Sequence, residues 1–191
     1  MRVFLDFEAS SLGPESYPIE VGWAGEDGTL ESWLIRPAPG WDDWDPTAEA
    51  LHGLSREKLR SAGAPHEEVA RRALTALKDH EVYVSAPSWD GKWMSVLLRA
   101  AGLPRHALRL KDVDEAARAA VAEALPGRPQ DEIALLAKAL LAAARERVAD
   151  APPKHRALAD AQAELAAWRE VRRLAQAAVA GEPGSEPGAP R

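Results

Sequence analysis

Between Met1 and Ile35 the chain carries three strand signals joined by short connections, which commits it to an antiparallel meander before any helix begins. Met1 to Phe7 reads as a short buried strand around the apolar run Val3-Phe4-Leu5, and Tyr17 to Ala24 reads as a second. Glu26-Asp27-Gly28 is a turn signal, and Leu30 to Ile35 then alternates apolar and polar residues as a third strand. After a loop rich in Pro, Gly and Trp from Pro37 to Pro46, helical signals dominate. Thr47 to Leu54 is a short helix, and Ser55-Arg56-Glu57-Lys58 starts another. Pro65 to His80 follows, with the stripe Val69, Ala73, Leu74 and Leu77 at helical spacing. Val82 to Ala86 is a strand, Gly91 to Ala101 a helix ending at Gly102, and Leu108 to Val113 a last strand. Helices over Glu115 to Leu125, Gln130 to Val148 and His155 to Ala180 close the order, with Pro126-Gly127-Arg128-Pro129 breaking the first two. The order predicts an α/β domain over residues 1–180, a mixed sheet with the meander at one side and helices packed over it. Residues 181–191 have the composition of a disordered tail, and there is no internal repeat.

The composition narrows the function classes. A chain of 191 residues with 46% apolar and 28% charged residues suits one domain with a substantial core. The absence of cysteine excludes disulfides and zinc–thiolate sites and is consistent with a reducing cytosol. Met1 to Asp6 lacks the apolar stretch of a signal peptide, and no segment approaches the ~20 apolar residues of a membrane span. A cytoplasmic protein without a membrane partner is the expectation. A net charge of −6 and a pI near 5.4 argue against a large duplex platform, which needs a basic face. They are compatible with a small enzyme gripping a few nucleotides, because carboxylates in a metal site add negative charge that cations neutralise.

Asp6 and Glu8 lie two apart on the first strand, so both side chains point to one face. Two carboxylates at that spacing repel unless a cation lies between them, and Mg²⁺ takes oxygen ligands of this kind. The plainer reading is a strand that ends in polar residues. His155 and Asp160 are five apart, about 140° on an ideal helix, so they share a site only if His155 precedes the helix. Pro152 and Pro153 favour that arrangement, and an exposed helix start is the alternative. Asp90 follows a strand and opens a helix, where a cap is the simple explanation.

Together these residues resemble the DEDDh branch of the 3′-to-5′ exonucleases, which includes polymerase proofreading subunits, ribonuclease T and oligoribonuclease. Asp6-Phe7-Glu8 matches the first motif, and Ala9, Ser10, Ser11 and Leu12 match the segment that follows it. Ile19-Glu20-Val21-Gly22 and His52-Gly53-Leu54-Ser55 match two further segments, Asp90 the second acidic motif, and His155 with Asp160 the third. The likeness runs over about residues 1–175. Two departures stand out: Val84-Ser85-Ala86-Pro87-Ser88-Trp89-Asp90 lacks the histidine and asparagine common before the second aspartate, and Ser11 replaces a frequent glycine.

The resemblance implies a ribonuclease H-like fold and two-metal phosphodiester hydrolysis with Mg²⁺ or Mn²⁺. Asp6, Glu8 and Asp160 would hold one cation, Asp6 and Asp90 a second, and His155 would be the general base. Ala9, Ser10, Leu12 and His52 would contact substrate, with ordinary packing an equal reading for Leu12. The implied partner is the 3′ end of single-stranded DNA or RNA, and a homodimer is allowed. Asp42, Asp43 and Asp45 would repel phosphate, so Trp41 and Trp44 read as structural anchors or a protein contact rather than base-stacking platforms. Trp89 reads as core, with Trp23, Trp33, Trp93 and Trp168 as core or helix-face residues. His66, His80 and His106 read as surface residues; Lys92 and Arg156, beside motif residues, read as solvated charges, with phosphate contact the alternative. Two other functions fit the same residues: a degenerate exonuclease fold that binds without cutting, and a different metal-dependent phosphoesterase.

Overall fold

In the computed structural model, which describes residues 1–148 and 155–181, the three N-terminal strands form the expected meander. They are β1 (Arg2–Ala9), β2 (Pro18–Gly25) and β3 (Leu30–Arg36). Two short helices follow, α1 (Pro46–His52) and α2 (Arg56–Ala62), then β4 (Ala64–Pro65) and α3 (His66–Leu77). The remainder is β5 (Glu81–Val84), α4 (Pro87–Ala100), β6 (Leu110–Asp112), α5 (Val113–Ala124), α6 (Gln130–Val148) and α7 (Ala157–Gly181). The sheet runs β4-β3-β2-β1-β5-β6. β2 pairs antiparallel with β1 and β3, whereas β5 joins β1, and β6 joins β5, in parallel.

Strand alternation divides the core into two layers. Val3, Leu5, Phe7, Val21 and Trp23 face α3 and α4, where they pack with Val69, Ala73, Met94 and Leu97. Phe4 and Ala24 face the other way, onto Val113, Ala117, Trp168 and Val171 from α5 and α7. Trp168 meets the Phe4 ring at 5.7 Å between centroids. All eight residues of β2 are buried, including the carboxylate of Glu20 at 2% exposure. Gly22 explains how α7 comes so near: a Cβ there would stand 2.3 Å from the Leu158 nitrogen and 2.5 Å from its Cα.

Several boundaries differ from the sequence reading for local reasons. β4, too short to carry a periodic signal, pairs in parallel with Ile35 and Arg36, so Pro65 ends a strand instead of starting α3. α4 begins at Pro87, the position that proline's fixed φ favours, which puts Asp90 inside its first turn rather than at the cap. Ser55 caps α2 by accepting from the Lys58 N–H at 3.2 Å, as its local sequence predicts. His66 is buried at 8% exposure against the Trp41 ring, a correction to its reading as a surface residue. Trp41 itself stacks on Tyr17 at 5.0 Å, and Trp44 donates to Glu49 at 2.7 Å, so both anchor their loop. Trp89 is half-buried and stacks on Trp93 at 5.6 Å instead of entering the core. The expected tail beyond Gly181, and Pro152 and Pro153, lie outside the described residues.

The close approach at Gly22 generates a stability prediction. Gly22→Ala forces α7 away from the sheet and lowers unfolding free energy by about 1–3 kcal/mol, as overpacking does. Chemical denaturation checks this, and wild-type stability in the variant would contradict the packing described.

Candidate active site

β1 extends past its parallel neighbour, and the site lies in that overhang. β5 pairs with β1 only through Arg2, Val3 and Phe4, so Asp6 and Glu8 stand beyond the last parallel pair. Ligands of open α/β sheets commonly settle in such a crevice at the carboxyl ends of the strands. Asp6 and Glu8 share the face of Phe4, the face covered by α7. Across the ladder Asp6 stands opposite Gly22 and Glu8 opposite Glu20. Gly22 leaves room for the first turn of α7, which brings in Asp160. One oxygen from each of Asp6, Glu8 and Asp160 lies within 4.8 Å of the others.

Three carboxylates this close, in a half-buried crevice, resist ionisation. Asp6 is pushed up to about 9, first by burial and then by the charges of Asp90, Glu8 and Asp160. Glu8 rises to about 8, again chiefly by burial, with Asp160 and Glu20 adding repulsion. Asp160 is raised by burial, and its hydrogen bond from the Arg156 backbone and the neighbouring His155 oppose that rise. The donor set is oxygen only and the unneutralised charge is negative, so the residues fit a hard divalent cation such as Mg²⁺ or Mn²⁺.

Asp90 lies outside this trio. Its Oδ2 accepts from the Ala86 N–H at 3.2 Å, with the Phe7 backbone N–H as a second donor. Burial nevertheless raises Asp90 to about 7, and its charge is the second-largest influence on Asp6. It thus flanks the trio from the α4 side. His155, half-buried, precedes α7 in a left-handed backbone conformation (φ 46°). This is the position outside the helix that its five-residue spacing from Asp160 requires. Such a conformation is uncommon for residues other than glycine, though histidine is among those enriched in it.

The expected substrate residues divide into two kinds. Ala9 and Ser10 are buried, and the Ser10 hydroxyl donates to Asp43 at 3.1 Å while accepting from the Tyr17 N–H at 3.1 Å. The Ser11 hydroxyl donates to the same Asp43 oxygen at 2.5 Å. Ser10 and Ser11 therefore brace the loop, and Leu12 at its tip is 70% exposed, which removes the ordinary-packing reading. His52 is buried, and its Nδ1 accepts from the Leu54 N–H at 3.0 Å. Burial lowers its pKa, so the ring is neutral with its proton on Nε2. That Nε2 is buried without a partner among the described residues.

Four participants carry more than the sequence reading gave them. Glu20 receives Arg156 through Nε at 2.9 Å and Nη2 at 2.6 Å, and also accepts from the Ala157 N–H at 3.2 Å. Arg156 is thus held in a two-pronged ion pair and is not a free solvated charge. Lys92 is likewise tied, to the Gly13 carbonyl at 2.6 Å and the Ser16 hydroxyl at 2.8 Å. Asp43 braces the Leu12 loop instead of merely repelling phosphate. A glutamate inside an otherwise apolar strand was the available signal for Glu20, because a buried charge demands a partner.

Scans against protein-family models and curated proteins returned no match. Solved structures do match. The zinc-bound form of E. coli exonuclease I with single-stranded DNA aligns at TM-score 0.66 and 17% identity, over 92% of this chain and 41% of that one. The same enzyme with a dA16 oligonucleotide aligns at TM-score 0.66 and 15% identity, over 93% and 42%. With a dT13 oligonucleotide the TM-score is 0.62 at 15% identity. The chain therefore spans about two-fifths of the length of these neighbours. The likeness shows the fold: a ribonuclease H-like mixed sheet of antiparallel and parallel strands flanked by helices, as the sequence resemblance implies. Among the described residues, no helix is long and apolar enough to cross a membrane.

The raised carboxylates give a pH prediction with a definite sign. Between the ordinary carboxylate range near 4 and about 9, the folded protein holds protons that the unfolded chain has released. Stability of the metal-free protein therefore falls as pH rises through that window. A divalent cation replaces those protons, so Mn²⁺ raises Tm more at about pH 8.5 than at about pH 5.5. Thermal melts with chelator or Mn²⁺ at the two pH values check this; a flat profile or an equal cation effect would contradict it.

Proposed function

We propose that the chain is a metal-dependent 3′-to-5′ exonuclease acting on single-stranded nucleic-acid ends. The observation that carries this reading is the convergence of Asp6, Glu8 and Asp160 within 4.8 Å, flanked by Asp90 and His155. The likeness to exonuclease I, solved with bound oligonucleotides, supports it. A binding module without hydrolysis would have no need of this costly charge cluster.

In this reading Asp6, Glu8 and Asp160 would hold one divalent cation, and Asp6 with Asp90 would hold a second. Cations held there would lower the pKa of an attacking water and neutralise charge on the entering and leaving oxygens. His155 would take the proton of that water as general base. Its place at the start of α7 lets it face the crevice beside Asp160 without being fixed in a helical turn. The orphaned His52 Nε2–H donates to an acceptor on the terminal nucleotide, which relieves its unsatisfied burial. Leu12, exposed on a braced loop, packs against the terminal base. Glu20 holds the start of α7 in position through Arg156 and Ala157.

Digestion of a 5′-labelled oligonucleotide with Mg²⁺ or Mn²⁺ tests this, with DNA and RNA of matched sequence run in parallel. The wild-type protein should give a descending ladder. His155→Ala should fold and lose about 10²–10⁴-fold in rate, the usual worth of general-base catalysis. Asp160→Ala should fold and fall at least as far. Near wild-type turnover in either variant, or no ladder from the wild-type protein, would refute the assignment.

A further inference from the structure

We infer that a basic groove along α4 carries the phosphodiester backbone of the substrate strand behind its 3′ end, a reading that rests on the proposed exonuclease site. The groove, about 470 Å³, lies between α4 and the segment that leads into β6, and Pro87, Gly91, Met94, Arg105, His106 and Arg109 line it. It starts at the first turn of α4, the turn that carries Asp90. From Pro87 to Ser95 it follows eight residues of helix, about 12 Å, more than one phosphate fills.

Three observations point to a polyanion. First, Arg105, His106 and Arg109 are exposed, and the groove's lining contains no carboxylate. Neither arginine meets an acidic partner among the described residues, whereas Arg72 and Arg156 each close two-pronged on a glutamate and Arg145 donates through Nη2 to both oxygens of Glu164. In a chain of net charge −6, this is a local positive pole beside a negative catalytic crevice. Second, Gly91 lies inside α4, where glycine weakens a helix, yet a Cβ there would meet nothing within 4 Å. Packing does not require the glycine. Its missing side chain leaves the groove floor open to close approach by a ligand. Third, the arginine-bearing segment is held in place: the Ser95 hydroxyl donates to the Arg105 carbonyl at 3.2 Å, and Leu108 is buried at 8% exposure. Pro87 supplies apolar surface for sugar or base beside the charges.

Binding of fluorescein-labelled single strands, followed by anisotropy in chelator over a salt series, tests the groove separately from hydrolysis. The probes are matched DNA and RNA oligonucleotides of about 4 and about 16 nucleotides. Arg105→Glu/Arg109→Glu should weaken the long probes about tenfold or more. It should also reduce the slope of log K against log salt by about 2, and change the short probes far less. The control Arg118→Glu/Lys138→Glu, the same charge change at exposed positions on α5 and α6, should leave the slope and the long-to-short ratio unchanged. Gly91→Ala should keep or raise Tm and weaken the long probes. Equal affinity and slope for wild type and Arg105→Glu/Arg109→Glu would overturn the inference, as would equal losses on short and long probes. So would a wild-type protein that binds acidic peptide but no oligonucleotide. Groove-dependent binding without any ladder in the digestion would keep the groove and remove the exonuclease reading; a ladder without groove-dependent binding would do the reverse.

Discussion

The candidate site depends on how the start of α7 is fastened to β2, a strand 136 residues earlier in the chain. Two neighbouring positions on one face of that strand do it. Gly22 removes the side chain that would keep the helix off the sheet, and Glu20 takes the Arg156 guanidinium and the Ala157 N–H. A carboxylate at 2% exposure is tolerable only with such partners, and it also complements the positive end of a 25-residue helix. Without that attachment Asp160 and His155 would have no defined relation to Asp6 and Glu8. Packing of α7 through Trp168 onto Phe4 then makes the attachment part of the core.

That attachment works against a repulsion. It brings Asp160 to two carboxylates already side by side on β1, in a crevice where burial further disfavours charge. The surrounding fold supplies enough packing to hold an arrangement that is locally unfavourable until cations or protons neutralise it, a pattern expected of functional sites. The Leu12 loop shows a related economy. Ser11, where a glycine is frequent, gains a bond to Asp43, and the acidic Trp41–Asp45 loop thereby holds an exposed leucine in a defined place.

Much of this was readable from the residues. The two-residue spacing of Asp6 and Glu8 specified one face, and the five-residue spacing of His155 and Asp160 required the histidine to stand outside the helix, where it is found. The meander and the long C-terminal helices followed from periodicity, with α6 found at its predicted bounds. What was hidden depended on contacts distant in sequence. The Glu20–Arg156 pair joins segments whose local sequences each allow a solvated charge, and β4 is only two residues long. The start of α4 at Pro87 turned on one residue's preference for a helix's first turn, which the strand-like Val82–Ala86 run obscured. His66 gave no local sign of burial, since Trp41 covers it from another element.

The central claim is that Asp6, Glu8 and Asp160 form a cation site with Asp90 beside it. Anomalous diffraction from crystals grown with Mn²⁺ tests that most directly. The expected result is a manganese peak among the Asp6, Glu8 and Asp160 oxygens, with a second between Asp6 and Asp90. The absence of any peak at these carboxylates, with the ion bound elsewhere or not at all, would contradict it.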